Sequence, residues 1–339
     1  MIFWELKKIL KSKIGLIALA LFIFLVGTTI FLKPILETEN SYRNDKYELV
    51  VDTRPGKEIA QEKFDEKIEQ LERIASNSVN DKAIKRIVEV TRDNLRLMKY
   101  KEYKDIDFYK VINHRTHHPL MSLIMVIIII LIFSNIYTDE RISGVNNIIL
   151  SSKNKFRALY SKLALAIILP IILYGFYLGI EFLVTLVQYG APLNGDLEAF
   201  RIVDNGILLN STYTINGYLT LKIGTMALIF VSIAVLSSFF SFISTNSLGS
   251  ISGALIALGL GKACTIIKVL PKPLLDILSK GNYVDLIFYP DKFIGMYAGT
   301  ANIFGKSLDI ISLCNVILIA LLFIGVILCV YTCKRILNR

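Results

Sequence analysis

The sequence predicts an all-α protein that crosses a membrane several times, and three observations carry this prediction. Hydrophobic residues make up 54% of the 339 residues and charged residues only 19%, whereas a typical soluble domain is roughly one quarter charged. Several uncharged apolar runs reach the ~20 residues that a helix needs to cross a bilayer. The net charge of +10 is concentrated in short segments between those runs. This composition excludes a disordered chain and a small disulfide scaffold.

Six segments are predicted to span the membrane: Ile14–Leu32, Leu120–Tyr137, Leu163–Ile180 with an extension to about Val187, Ile223–Thr245, Leu248–Leu270 and Ile311–Cys333. The first has a longer apolar core than the ~7–15 residues of a signal peptide, so we expect an uncleaved anchor. The fifth is rich in glycine and contains Lys262 and Lys268, and we expect it to be shorter or broken.

The segment before the first span has the pattern of an amphipathic helix. Within Met1–Lys13, Ile2, Leu6, Ile9 and Leu10 share one side and Lys7, Lys8 and Lys11 the other, and Trp4 is typical of a membrane interface. We expect this helix to lie flat on the membrane before the chain turns into span one, so that residues 1–33 form one unit. The alternative is a positively charged flank without regular structure.

Charge distribution predicts the orientation of the chain. Residues 1–13, 138–162 and 334–339 each carry a net charge of +3, which accounts for nine of the ten excess positive charges. Because Lys and Arg are enriched in cytoplasmic segments near span ends, both termini and the 138–162 loop are predicted to be cytoplasmic. The excess therefore indicates a multi-pass protein of the cell membrane, not a nucleic-acid partner.

Residues 34–119 are then extracellular, and they carry 17 acidic and 17 basic residues. Apolar residues recur at mostly three- and four-residue steps in 57–76 (Ile59, Phe64, Ile68, Leu71, Ala75) and again in 81–99. This spacing predicts two helices separated at Asn77–Asn80, with Asn80 or Asp81 as N-cap of the second. We expect a helical hairpin on the outer surface; a loosely ordered tether is the alternative.

The sequence offers no candidate catalytic residue or metal site. Gly305-Lys306-Ser307 resembles the end of a phosphate-binding loop, but Thr300 occupies the position of its first glycine. His114, His117 and His118 lie beside an expected span end, which favours an interfacial role over metal binding. The chain is therefore predicted to have no nucleotide-hydrolysing site of its own.

Two charged residues and one glycine pair stand out within the spans. Glu181 is predicted near the outer interface in contact with water, and Lys262 faces either a cavity or partner or the outer headgroups. Both are candidates for a transport pathway. Gly249 and Gly253 form a G-x-x-x-G pair, which predicts close packing against a neighbouring span or a second subunit.

The loop after span two contains an acidic residue, a glycine, a short apolar run, a basic residue and a lysine that opens the next span, at Glu140, Gly144, Leu150, Arg157 and Lys162. This loop resembles the first cytoplasmic loop of ABC-2-type ATP-binding-cassette transporter permeases, although Lys153-Asn154-Lys155 replaces the usual proline. The layout of an interfacial helix, six spans and a polar insert agrees with that family. The resemblance implies that 138–162, including Arg141, forms a coupling helix, and that 271–309 holds re-entrant helices at Val284–Tyr289 and Phe293–Ile303.

The resemblance implies that the protein functions as a membrane-spanning subunit of an exporter. A separate ATPase subunit would bind ATP and Mg, this chain would bind no cofactor, and two permeases, identical or different, would pair in the bilayer. An amphipathic or antimicrobial peptide is the preferred substrate class, with lipid-linked molecules as the rival. The alternative function is a membrane sensor or scaffold that binds a signal through its external hairpin and recruits a cytoplasmic partner.

Overall fold

A computed structural model describes residues 1–43, 46–77, 82–203, 208–268, 270–290, 293–303 and 305–337 of the chain. The protein is mostly helical, at 74%. Two short antiparallel sheets complete the secondary structure that these ranges contain. The predicted class of a helical membrane protein is therefore confirmed at this level.

Five helical segments are long and apolar enough to cross a membrane: Asp107–Ile142, Lys155–Tyr189 (α9), Ile215–Ile243 (α10), Ser247–Ile267 (α11) and Ile310–Leu337 (α14). The first of them comprises three helices in series: α5 (Asp107–His117), α6 (Pro119–Asn135) and α7 (Thr138–Ile142). It begins 13 residues before the predicted span at Leu120, because the polar residues of α5 are covered by protein. The fifth predicted span, α11, is one continuous helix.

The first predicted span belongs to a bent pair of helices. α1 (Ile2–Lys11) and α2 (Lys13–Thr29) meet at an angle of 78°, and together they count as a sixth span if the pair is taken as one. The Ser12 hydroxyl at the bend accepts a hydrogen bond of 2.9 Å from the backbone N–H of Gly15. This N-cap begins α2 immediately after the turn.

Both ends of the described chain lie at the same end of the helical bundle. Lys155, at the start of α9, donates a hydrogen bond of 3.3 Å to the carbonyl of Leu337 in the last turn of α14. Lys162, two turns further along α9, contacts Glu5 of α1. We call this the α1 end of the bundle and the opposite one the hairpin end.

The helices are buried unequally. Within the most apolar stretch of each segment, 78% of residues are buried in Asp107–Ile142 and 67% in α10, against 17% in α11 and in α14. The α6 and α10 helices therefore form the centre of the bundle. The other two lie at its periphery, with large apolar side chains facing outward.

A second apolar core lies at the hairpin end. Helix α3 (Gly56–Ser76) packs against α4 (Lys82–Leu97), and the N-cap expected at Asn80 or Asp81 lies outside the described residues. Phe64 and Leu71 of α3, both buried, join a cluster that includes Phe108 of α5 and Phe200, in one turn of 3-10 helix between α9 and α10. Strands β1 (Ser41–Arg43) and β2 (Leu49–Val51) precede α3. The segment between α9 and α10, to which the sequence analysis assigned no role, thus covers α3.

Of the two short helices expected within 271–309, the described residues contain one. Helix α12 (Lys272–Gly281) is followed by α13 (Tyr283–Phe288), which corresponds to the expected Val284–Tyr289. The expectation for Phe293–Ile303 is wrong: this segment ends in strand β3 (Thr300–Ile303), which pairs with β4 (Lys306–Asp309). Gly295 and Gly299 adopt positive φ values of 71° and 97°, a backbone conformation that a regular helix excludes.

Candidate functional site

Four charged side chains from three elements meet at the α1 end. The ammonium of Lys162 on α9 is fully buried and lies 2.7 Å from a carboxylate oxygen of Glu5 on α1 and 2.7 Å from one of Glu140 on α7. Lys8 of α1, which is partly exposed, also pairs with Glu140 and lies 3.4 Å from Glu5. We call these four residues the α1-end cluster.

The α1-end cluster is held together by charge. Burying an isolated ion costs several kcal/mol, so buried ions persist only when they are paired. Two cations face two carboxylates here, and Oε2 of Glu140 is buried without a hydrogen bond among the described residues. A lysine ammonium carries three rotatable donors on a flexible stem, which sets weak demands on geometry. The cluster therefore joins α1, α7 and α9 through a contact of charges with some orientational freedom.

The other predicted coupling residues lie in different surroundings. Arg141 donates a hydrogen bond of 2.8 Å to the carbonyl of Ser244, between α10 and α11. Gly144 has a φ of 71° and stands as N-cap of α8 (Val145–Ser151), a conformation that favours glycine. Leu150 is partly buried against the main core, whereas Arg157 is exposed and does not join the cluster.

Helix α8 presents an uncovered apolar surface at the α1 end. It contains no buried residue, and Ile148 is 70% exposed. Val145 at the start of α8 is also exposed, as are Ile142 and Phe156 on either side of this helix in the same loop. Contiguous exposed apolar residues in a polar loop are typical of an interaction surface.

A second buried charge cluster lies at the hairpin end and was not found from the sequence. Arg115 of α5 is 1% exposed, and its guanidinium lies 3.5 Å from the carboxylate of Glu181 on α9. Its remaining contacts are hydrogen bonds to neutral acceptors: the carbonyls of Ile30 (2.6 Å) and Leu32 (3.0 Å), the Thr185 hydroxyl (2.9 Å) and the Gln188 side chain (2.7 Å). We call Arg115, Glu181 and these four residues the hairpin-end cluster. It ties the end of α2 to α5 and α9.

The expectation that Glu181 sits in water at the outer interface is wrong. Its side chain is fully buried and accepts a hydrogen bond from the Thr29 hydroxyl. The reason is that α5 continues the second span beyond the predicted membrane boundary and covers α9 at this level. Glu181 therefore links three helices inside the protein.

The remaining residues singled out within the spans have partners inside the chain. The ammonium of Lys262 on α11 lies 2.7 Å from the carboxylate of Asp285 on α13. Of the alternatives considered for this lysine, the structure therefore shows a charged partner within the protein. A Cβ atom on Gly253 would lie 2.5 Å from the ring of Phe240 on α10, which makes this glycine a close contact between consecutive helices. The backbone N–H of Gly249 instead donates a hydrogen bond of 2.7 Å to the side-chain oxygen of Asn246, the N-cap of the same helix.

A third buried cation lies on α10 near the hairpin end. The Lys222 ammonium is 2.8 Å from the side-chain oxygen of Asn113 and 3.1 Å from Nδ1 of His117, both on α5. This contact places one of the three histidines inside the protein. Within the described ranges, no group of three His, Cys, Asp or Glu side chains is arranged to hold a metal ion.

Two of the missed residues had a local signal. Glu5 lies three residues after Ile2 and four before Ile9, on the apolar side of the amphipathic helix. Arg115 follows Phe108, Val111 and Ile112 at the i, i+3, i+4, i+7 spacing of one helix face. A charged residue at such a position predicts a buried partner, although the pattern does not identify that partner.

Comparisons with protein-family models, with curated proteins and with solved structures give no match for this chain. The chemistry of the two clusters is thus the available guide to function. Both consist of ion pairs and hydrogen bonds that join span helices, with the apolar surface of α8 exposed beside one of them.

Proposed function

We propose that this chain is the membrane-spanning permease subunit of an ATP-binding-cassette exporter, with six spans and both termini in the cytoplasm. The α1 end is then cytoplasmic, in agreement with the three basic segments located there. A separate ATPase subunit, which carries ATP and Mg, docks on the 138–162 loop. A second permease, either identical or different, completes the pathway.

The observation that carries the proposal is the pairing of Lys162 with both Glu140 and Glu5. Glu140 belongs to the loop on which the ATPase would act, Lys162 to the base of the third span, and Glu5 to the helix that leads into the first span. A displacement of α7 is therefore transmitted directly to α9 and α1. Such rigid-body shifts at the base of spans are the kind of motion that alternates access across a membrane.

The exposed apolar surface of α8 supports docking at this loop. Ile142, Val145 and Ile148 would be buried by the ATPase, and Gly144 lets the chain reverse between α7 and α8. The proposed substrate is an amphipathic or antimicrobial peptide, with a lipid-linked molecule as the rival class. The equal numbers of acidic and basic residues in 34–119 favour neither sign of substrate charge.

The decisive experiment is purification of the tagged chain from its own membrane, followed by measurement of ATP hydrolysis in the purified complex. We expect an ATPase to copurify and Ile148→Asp to abolish the hydrolysis, because a carboxylate would be buried at the interface. The control is Leu97→Asp, which changes a comparably exposed residue of α4 (66% against 70%). No hydrolysis in the unmodified complex, or equal hydrolysis in both variants, would refute the proposal.

Gly144 gives an independent test in the same preparation. Gly144→Val forces a β-branched residue into the left-handed region, whereas Gly144→Asn places there a residue that tolerates it. A Cβ atom meets nothing within 4 Å, so the two variants differ in backbone strain and not in space. We expect reduced transport for valine and near-normal transport for asparagine, with equal membrane insertion. Normal transport in the valine variant and in Glu140→Gln would contradict the assignment of this loop.

One observation favours the sensor or scaffold as a second candidate. A crevice of about 830 Å³ lies between the β1–β2 hairpin and α3, and its wall combines apolar Ile35 and Leu49 with Glu62 and Glu66. A signal molecule could bind there. If the purified chain shows no ATP hydrolysis but binds a ligand at this crevice, the sensor function replaces the permease.

A further inference from the structure

An apolar crevice opens on the outside of the bundle where α1 and α2 bend apart. It has a volume of about 150 Å³ and lies between four helices. Its walls include Leu6 and Ile9 of α1, Ala18 and Phe22 of α2, Ile132 of α6 and Leu173 of α9. All residues that line it are apolar.

Such a space is not suited to water. A buried water needs two to four polar partners, and an apolar cavity stays dry. An empty space would in turn forfeit the dispersion contacts of its walls. Because the crevice borders helices that are long and apolar enough to cross a membrane, the hydrocarbon chain of a lipid is the occupant that matches its surface.

The polar groups beside the crevice indicate the charge of that lipid. A smaller pocket that shares Ile9 and Ile132 with the crevice reaches the bend at Ser12, and its mostly apolar wall also carries Glu5, Lys8 and Asp139. Lys11 and Lys13 flank this bend; both are exposed, and neither makes an ion pair or hydrogen bond within the described residues. Their ammonium groups are therefore available to an anion at the level where α1 meets the membrane surface. Each lysine near such a surface favours anionic lipid by about fivefold.

From this arrangement we infer that the bend between α1 and α2 is a binding site for an anionic phospholipid. One acyl chain occupies the crevice, and the phosphate group lies between Lys11 and Lys13. The site depends on the bend of the α1–α2 pair and on α6 and α9, and not on the proposed docking of an ATPase. It fixes the angle of α1 by filling the space beneath it.

Tryptophan quenching by brominated lipids tests this inference, since Trp4 is the only tryptophan in the chain. The variant Trp4→Phe/Phe22→Trp places the sole indole at the crevice. The control Trp4→Phe/Ile327→Trp places it on the 64% exposed face of α14, at similar depth: nine residues from the start of α2 and ten from the end of α14. Each is reconstituted, with far-UV circular dichroism to verify folding, in vesicles of phosphatidylcholine that contain increasing brominated phosphatidylglycerol or brominated phosphatidylcholine.

At the crevice we expect half-maximal quenching at an at least about fivefold lower fraction of brominated phosphatidylglycerol than of brominated phosphatidylcholine. No preference is expected at the α14 position. Adding Lys11→Gln/Lys13→Gln to the crevice variant removes the preference, whereas Lys153→Gln, an exposed lysine elsewhere at the α1 end, retains it. Equal quenching by both lipids at the crevice, or a preference that survives the double lysine change, would overturn the inference.

Two further arms separate the lipid from other occupants. Excess soluble glycerol phosphate leaves the quenching unchanged if the acyl chain is held in the crevice; displacement would assign the site to free phosphate. If a second copy of this chain occupied the crevice, it would displace lipid, and quenching by the brominated lipid would fall as the protein-to-lipid ratio rises. Quenching that is independent of this ratio is the result expected for a lipid.

Discussion

The two buried charge clusters join the same two regions of the molecule, the α1–α2 pair and α9, but they do so in different ways. In the α1-end cluster, Lys162 is held by carboxylates alone, and Lys8, the second cation paired with the same carboxylates, reaches solvent. In the hairpin-end cluster, Arg115 meets one carboxylate and four neutral acceptors, two of which are backbone carbonyls at the end of α2. The planar guanidinium of arginine fixes the directions of its hydrogen bonds, whereas the ammonium of lysine can rotate its donors towards several positions. The hairpin end is therefore the rigid junction, and the α1 end is the one that can rearrange.

The largest effect is expected from removal of the rigid junction. Arg115→Met leaves Glu181 buried without its cation, removes the guanidinium donor of the Leu32 carbonyl and leaves the Ile30 carbonyl with only a longer contact of 3.5 Å from Gln188. We therefore expect the free energy of unfolding to fall by about 5 kcal/mol. SDS titration of the solubilised chain, followed by circular dichroism, measures it. The control Arg73→Met removes an exposed arginine and should change stability by less than about 0.5 kcal/mol.

A smaller loss is expected at the α1 end. Lys162→Met leaves two buried carboxylates close together, but Lys8 remains beside Glu140, so we expect a loss of about 3 kcal/mol in the same titration. Lys153→Met, an exposed lysine of the neighbouring loop, is the control. If Lys162→Met proves more damaging than Arg115→Met, the assignment of the rigid junction is reversed.

Exchanges between arginine and lysine test whether hydrogen-bond geometry or positive charge alone stabilises each cluster. Arg115→Lys keeps the positive charge opposite Glu181 but cannot reach both carbonyls and both side-chain acceptors, and we expect a loss of about 2 kcal/mol. Lys8→Arg, at a partly exposed site where charge alone matters, should change stability by less than about 0.5 kcal/mol. Equal effects of the two exchanges in the SDS titration would show that geometry matters as little at one end as at the other.

The smallest effect is expected from an exposed ion pair that serves as reference for both clusters. Lys99 donates a hydrogen bond of 2.6 Å to Asp196 and thereby lowers the pKa of this carboxyl below its ordinary range. A carboxyl whose pKa is depressed in the folded state contributes stability above its unfolded pKa of about 4, and that stability is lost as the pH falls through the folded value. The stability difference between the native chain and Asp196→Asn should accordingly be slight at pH 7 and vanish in acid. A difference that grows on acidification would contradict the sign of this pKa shift.

Local periodicity was sufficient for much of the fold but not for the pairing of charges. The apolar runs gave the positions of the long helices, and the spacing of Phe64 and Leu71 identified the buried face of α3, because both patterns depend only on neighbouring residues. Lys162 and Glu5 are 157 residues apart, and nothing in either neighbourhood specifies the other. Glu140 and Lys162 were singled out through the loop pattern alone, without Glu5, the second carboxylate that contacts Lys162.

The errors have related physical causes. The segment Phe293–Ile303 combines apolar residues with glycines, and short apolar stretches of this kind fit a strand as well as a helix. Glu181 was assigned to water because it follows about 18 apolar residues of its own span, roughly 27 Å of helix, and was therefore placed near the outer interface. The charged residues of α5 conceal a helix whose polar side chains are covered by protein instead of lipid. In both cases the surroundings of the segment, and not its own composition, decided the outcome.

One partner of each cluster lies on the same segment, Asp107–Ile142, which carries Arg115 towards the hairpin end of the bundle and Glu140 at the α1 end. The 25 residues between them correspond to about 37 Å along the helical path. The segment thus has the proportions of a lever whose pivot is the guanidinium fork. A swing of roughly five degrees about that pivot moves the far end by about 3 Å, the length of one hydrogen bond. Motions too small to disturb the apolar core at the hairpin end are therefore large enough to exchange ionic partners about 37 Å away.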